Sequence, residues 1–157
     1  MIYFKIDNKF YTSNKIDILT KKYPLLKVKA LYRILVKELN TTLKNYPSID
    51  IIINFKYVNR VLGRYYRNRY NKGREYDFIG NKDKKCIVLF WHCINNYYDK
   101  HCIKGLLKVL YHEYGHYLQD LNYNKCWHNR KNIKCKSKNN NLERELILAK
   151  SYLNNVI

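Results

Sequence analysis

The chain has 157 residues, 31 of them Lys or Arg against 12 Asp or Glu, for a formal charge of +19. That length suits a single domain spanning residues 1–157, and 46% hydrophobic with 15% aromatic residues excludes a disordered chain, which buries too little apolar surface to offset its ordering entropy. The longest near-continuous apolar run, Cys86 to Trp91, is far short of the roughly 18–20 residues that cross a bilayer, so no membrane partner is expected.

Residues 2–12 alternate around Asp7-Asn8 and predict a hairpin. From Pro24, apolar residues at Leu25, Val28, Tyr32, Leu35, Leu39, Leu43 and Tyr46 recur at steps of three and four, predicting an amphipathic helix that Pro47 stops. The β-branched run Ile49, Ile51, Ile52, Ile53 predicts a strand buried on both faces. Residues 59–74 are basic and contain Gly63 and Gly73, which predicts an edge strand or hairpin arm followed by a loop. Cys86 to Ile94 predicts a second buried strand with Asn95-Asn96 turning out of it. A long helix follows from about Asp99 to Leu121, with Ile103, Leu107, Leu110, Tyr114, Leu118 and Leu121 as its apolar stripe. Residues 122–141 are Asn/Lys-rich and predict an irregular basic excursion, and residues 142–153 a last short helix. The expected fold is α+β: a small mixed sheet of three to four strands packed by an N-terminal helix and the long helix.

That long helix contains His112-Glu113-Tyr114-Gly115-His116, an H-E-x-x-H motif expected by chance about 0.005 times in a chain with this many His and Glu. Residues four apart on a helix stand one turn above each other, so two imidazoles so spaced can converge on one metal, zinc being the expected ion. Glu113 projects beside that metal and can act as general base toward a water the zinc activates. A zinc of this kind needs a third protein ligand. Position 122 is Asn, which excludes a third His at the spacing H-E-x-x-H-x-x-G-x-x-H. Asp120, Cys126, His128, Cys135, Glu143 and Glu145 remain, Asp120 lying too far along the helix axis to close a tetrahedron comfortably.

HEYGHYLQ resembles the active-site helix of zincin metallopeptidases. The order of a Leu62-Gly63-Arg64-Tyr65 segment, a strand at Ile87 to Phe90 and the motif helix is most similar to SprT-like proteases, and ImmA/IrrE-type peptidases share the helix with a later glutamate. Glu145 with Ala149 one turn on resembles the part of a gluzincin signature that supplies the third ligand, ranking Glu145 ahead of Glu143 and His128. The resemblance implies a zincin-like fold and a zinc-dependent peptidase acting on protein or peptide, on nucleic-acid-associated proteins in the SprT-like case.

Composition supports an anionic partner. AT-rich coding accounts for many Lys, Asn, Ile and Tyr residues, but it favours Glu as well, and Glu occurs only five times. Arg64, Arg67 and Arg69 interleave with Tyr65 and Tyr66, a combination suited to phosphate contact and base stacking, and equally to a solvated face whose tyrosines build the core. The alternative function is therefore a non-catalytic DNA- or RNA-binding protein with a structural metal or none. Five cysteines without a CxxC pair, together with Lys5, Asp7 and Lys9 where a signal peptide needs apolar residues, predict reduced thiols in a cytoplasm, a host cell's if the source is viral.

Overall fold

The computed structural model describes residues 1–58, 61–67, 85–121, 147 and 149–151. Strands β1 (Ile2–Ile6) and β2 (Lys9–Tyr11) form the N-terminal hairpin, followed by helices α1 (Ile16–Lys22) and α2 (Val28–Asn40). Strands β3 (Asp50–Asn54), β4 (Gly63–Tyr66) and β5 (Cys86–Phe90) complete a five-stranded mixed sheet, and helices α3 (Trp91–Tyr98) and α4 (Cys102–Leu121) follow. The fold is α+β; its sheet has five strands where three to four were expected, and helices α1 and α3 were not expected.

The sheet order is β2-β1-β3-β5-β4, with β1, β3 and β5 parallel and β2 and β4 antiparallel on the two edges. All residues of β3 and β5 are buried, in keeping with the continuous apolar runs of central parallel strands. The hairpin turn uses Asp7 and Asn8 at φ 51° and 63°, the positive values a two-residue turn needs and that Asp and Asn tolerate best.

Three boundaries depart from expectation. The helix predicted from Pro24 begins at Val28, because Lys27 adopts a left-handed conformation (φ 53°) after a 3-10 turn at Pro24–Leu26, leaving Leu25 exposed. It ends at Asn40, and Leu43 reaches the core through a turn whose N–H returns to the Glu38 carbonyl at 2.9 Å. The strand predicted to run to Ile94 stops at Phe90, where α3 begins without a loop. Trp91, Ile94 and Tyr98 then bury one face at helical spacing, and the Cys93 thiol bonds the Val58 carbonyl at 3.0 Å. Residues 147 and 149–151 are helical, and Ala149 is buried. The predicted excursion at 122–141 lies outside the described residues. No helix among the described residues is long and apolar enough to cross a membrane.

Helix α4 is buried around most of its girth, not along one stripe: Leu106, Val109, Leu110, Tyr111, Tyr114, Tyr117 and Leu118 are all inside, while Ile103 and Leu121, at its ends, are exposed. It lies on the sheet face formed by Ile53, Leu89 and Gly63, beside α2, and α3 packs against its first turns. Gly105 permits that last contact, since a Cβ there would fall within the Tyr98 ring. Ala favours a helix interior over Gly by about 1 kcal/mol, but overpacking costs about 1–3 kcal/mol. Gly105→Ala is accordingly expected to lower the urea midpoint, and to raise it in a Tyr98→Ala background; equal effects in both backgrounds would contradict this packing.

Candidate metal centre

At about 100° per residue, α4 divides into two working arcs. Tyr111, Tyr114 and Tyr117 anchor one side of it: their hydroxyls donate to the Glu38 carboxylate, to the Pro47 carbonyl at 2.6 Å and to the Ser48 carbonyl at 3.0 Å. Burial pushes the hydroxyl pKa of all three upward, so they stay protonated donors at neutral pH. The other arc carries His112, His116, Val109, Glu113 and Asp120, of which Val109, Glu113 and Asp120 meet β4.

The two imidazoles converge. His112 Nε2 and His116 Nε2 stand 3.2 Å apart with ring planes at 81°. Two nitrogens bound to one zinc at roughly 2.05 Å and a tetrahedral angle are about 3.3 Å apart. The pair therefore fits a shared tetrahedral ion, and the same separation fits a direct hydrogen bond from the N–H of one ring to the bare nitrogen of the other. His112 is buried and His116 half-buried.

Glu113 is held by β4. It is only 8% exposed, and burial raises its pKa to about 7 against the opposing influence of the Tyr65 backbone N–H it accepts and the nearby Arg64 charge. The sheet register explains the free N–H. The Phe90 N–H bonds the Leu62 carbonyl at 2.9 Å, so Leu62, Arg64 and Tyr66 turn their backbone groups toward β5, while Gly63 and Tyr65 turn theirs outward. Gly63 permits the close approach, because a Cβ there would lie 2.5 Å from Val109 Cγ1 and 3.3 Å from Glu113 Cγ. Gly63 is thus a site residue to which the sequence reading gave no role at the site, using it only as a break in a strand-and-loop segment and as part of the Leu62-Gly63-Arg64-Tyr65 resemblance. Its position just before an Arg-Tyr-Tyr strand was the available signal.

Asp120, one turn beyond His116, closes the arrangement. Its carboxylate accepts from the Tyr65 hydroxyl at 2.6 Å and Lys85 Nζ at 3.0 Å, and pairs with Arg67 Nε at 3.1 Å. Although partial burial raises its pKa, the hydrogen bonds from Tyr65 and Lys85 and the charges of Lys85 and Arg67 bring it below the usual value. Among the candidates for a third ligand, Asp120 is thereby committed to tying β4 to α4.

Of the residues expected to contact nucleic acid, Tyr65 and Arg67 point to Asp120, Arg64 is exposed beside Glu113, and Tyr66 is half-buried on the sheet's other face. Arg69 lies outside the described residues, as do Glu143, Glu145, His128, Cys126 and Cys135. Cys86 and Cys93 are buried thiols outside any disulfide, and Cys102 is half-buried. Among the described residues, no group of three or more His, Cys, Asp or Glu surrounds a metal position. Comparison with protein-family models, with curated proteins and with solved structures finds no match.

A carboxyl whose pKa folding depresses adds stability above its ordinary value, 3.8 for Asp, and loses it as pH falls through the lowered one. Asp120→Asn is therefore expected to cost about 1–2 kcal/mol at pH 7, with the difference from the parent chain closing on acidification. Denaturant midpoints of both proteins across pH check this; a gap that persists at low pH would locate the effect elsewhere.

Proposed function

We infer that the chain is a zinc-dependent peptidase of zincin-like architecture, its metal held by His112 and His116 and its proton carrier Glu113. The 3.2 Å convergence of the two Nε2 atoms beside a buried carboxyl supports this reading most directly. Bound there, zinc supplies Lewis acidity that polarises a peptide carbonyl and makes water acidic near neutral pH.

The chain's own groups do the rest. A carboxyl with a pKa of about 7 is matched to taking a proton from the attacking water and returning it to the leaving amine. The Tyr65 N–H fixes that carboxylate in one orientation, and the Asp120 contacts hold Tyr65. The Gly63 backbone groups and the Tyr65 carbonyl, which face away from β5, suit an extended peptide laid along that edge beside the Tyr65 N–H that Glu113 occupies.

For the third ligand we assign Glu145. The gluzincin resemblance supports it, and Lys150, five positions on, lies with its Nζ 5.5 Å above the ring of Tyr111 on the motif helix.

Elemental analysis of protein refolded with excess zinc and then dialysed is expected to give about one zinc per chain, lost in His112→Ala. Glu113→Gln should keep the metal while cleavage of a quenched peptide library falls by about 10²–10⁴-fold. Protein without stoichiometric zinc, or undiminished cleavage in Glu113→Gln, would overturn the assignment.

A further inference from the structure

A second cavity opens at the carboxyl ends of β1 and β3 and shares no residue with the His112, Glu113 and His116 site. Its volume is about 340 Å³, and it is lined from the β1–β2 turn, the connection between α1 and α2, the end of β3 and the start of α3. Ligand pockets begin at about 300 Å³, so this one admits a small molecule and no macromolecule. Crevices at the carboxyl ends of parallel strands are also where open sheets most often bind ligands.

Its polar floor is built by register. Lys5 and Asn54 are direct partners on the parallel pair β1 and β3, so their side chains leave the sheet on the same face. Both are buried, Lys5 at 5% and Asn54 at 1% exposure. The Asn54 amide has a determined orientation, because its Oδ1 accepts the Lys56 N–H at 2.8 Å. That leaves Nδ2 as a buried donor with no acceptor among the described residues. A buried N–H without an acceptor is costly, and a ligand oxygen placed against it removes the cost.

The surroundings specify that oxygen's charge. Lys5 and Lys56 bring two positive charges to the cavity against the one negative charge of Asp7, whose carboxylate accepts the Tyr23 hydroxyl at 3.1 Å; the Lys5 ammonium also lies over the Phe10 ring at 5.1 Å, and the His92 imidazole adds a further polar group. Ile6, Leu26 and Phe55 supply apolar wall, with the His92 ring edge-on to Phe55 at 5.9 Å. We propose that this cavity binds a small organic oxyanion, its anionic oxygens on Asn54 Nδ2 and the Lys5 and Lys56 ammonium groups and its apolar body against Phe55 and Leu26. A phosphate ester and a carboxylate share this chemistry.

Titration calorimetry of the full chain with phenyl phosphate and with benzoate tests the site and separates the two sources. At least one of the pair is expected to bind saturably, with a dissociation constant of about 1 mM or tighter. Asn54→Leu, which removes the orphaned donor, should weaken that binding by roughly tenfold or more. Lys56→Gln, an exposed position that does not threaten folding, should weaken it severalfold and reduce its salt dependence. Saturation by phenyl phosphate alone assigns a phosphate ester, and by benzoate alone a carboxylate. Absence of saturable binding of either probe overturns the proposal. So does binding that Lys56→Gln and a folded Asn54→Leu both leave unchanged, which would reflect only attraction to a chain of charge +19.

Discussion

The close seating of the edge strand β4 on helix α4 is the contact on which the candidate centre depends. It exists because residue 63 has no side chain, so the strand backbone comes down onto Val109 and Glu113. It is held in place because Asp120 gathers Tyr65, Arg67 and Lys85 at the other end of the strand. Loosening either hold would return the Glu113 carboxylate to water and release the Tyr65 N–H that orients it. A charged or half-charged carboxyl at 8% exposure is tolerable only with such a partner, since burial without hydrogen bonds penalises the ionised form heavily.

The same logic governs the rest of α4. A helix carrying two histidines, a glutamate and an aspartate on one arc has little apolar surface there to bind it to the core. Three tyrosines on the opposite side compensate, each burying a ring and ending in a hydroxyl that reaches α2 or the segment leading into β3. Hydrophobic area and directed hydrogen bonds therefore come from the same residues, and Glu113 and Asp120 are left to meet β4. The rings also pack on one another, with Tyr114 and Tyr117 centroids 5.6 Å apart, on the stretch of helix that carries His112 and His116.

Much of the fold was legible because it is written in local periodicity. The Asp7-Asn8 turn, the isoleucine run of β3, the apolar run that begins β5 and the extent of α4 all follow from patterns within ten or twenty residues. Features that a window of residues does not carry were misread. Helix α1 has seven residues and only Ile16 and Leu19 buried, too short for a period to emerge. The passage from β5 into α3 without a loop hides inside one apolar run, because Trp91, Cys93 and Ile94 read equally well as strand until Tyr98 completes a helical face. The basic-aromatic segment around Tyr65 offered two readings, and only its contact with Asp120, fifty-five positions away, shows where its tyrosine and Arg67 are used.

By itself, the sequence determined the helix, the one-turn spacing of His112 and His116 and the adjacency of Glu113, since these are properties of 3.6 residues per turn and need no neighbour. Tertiary structure alone decided that the imidazole nitrogens meet, that the Glu113 carboxyl is buried to a pKa of about 7, and that a glycine far upstream gives it a partner. Burial and cross-strand contact are set by elements distant in the chain, and no local pattern of residue types encodes which backbone N–H will face which side chain.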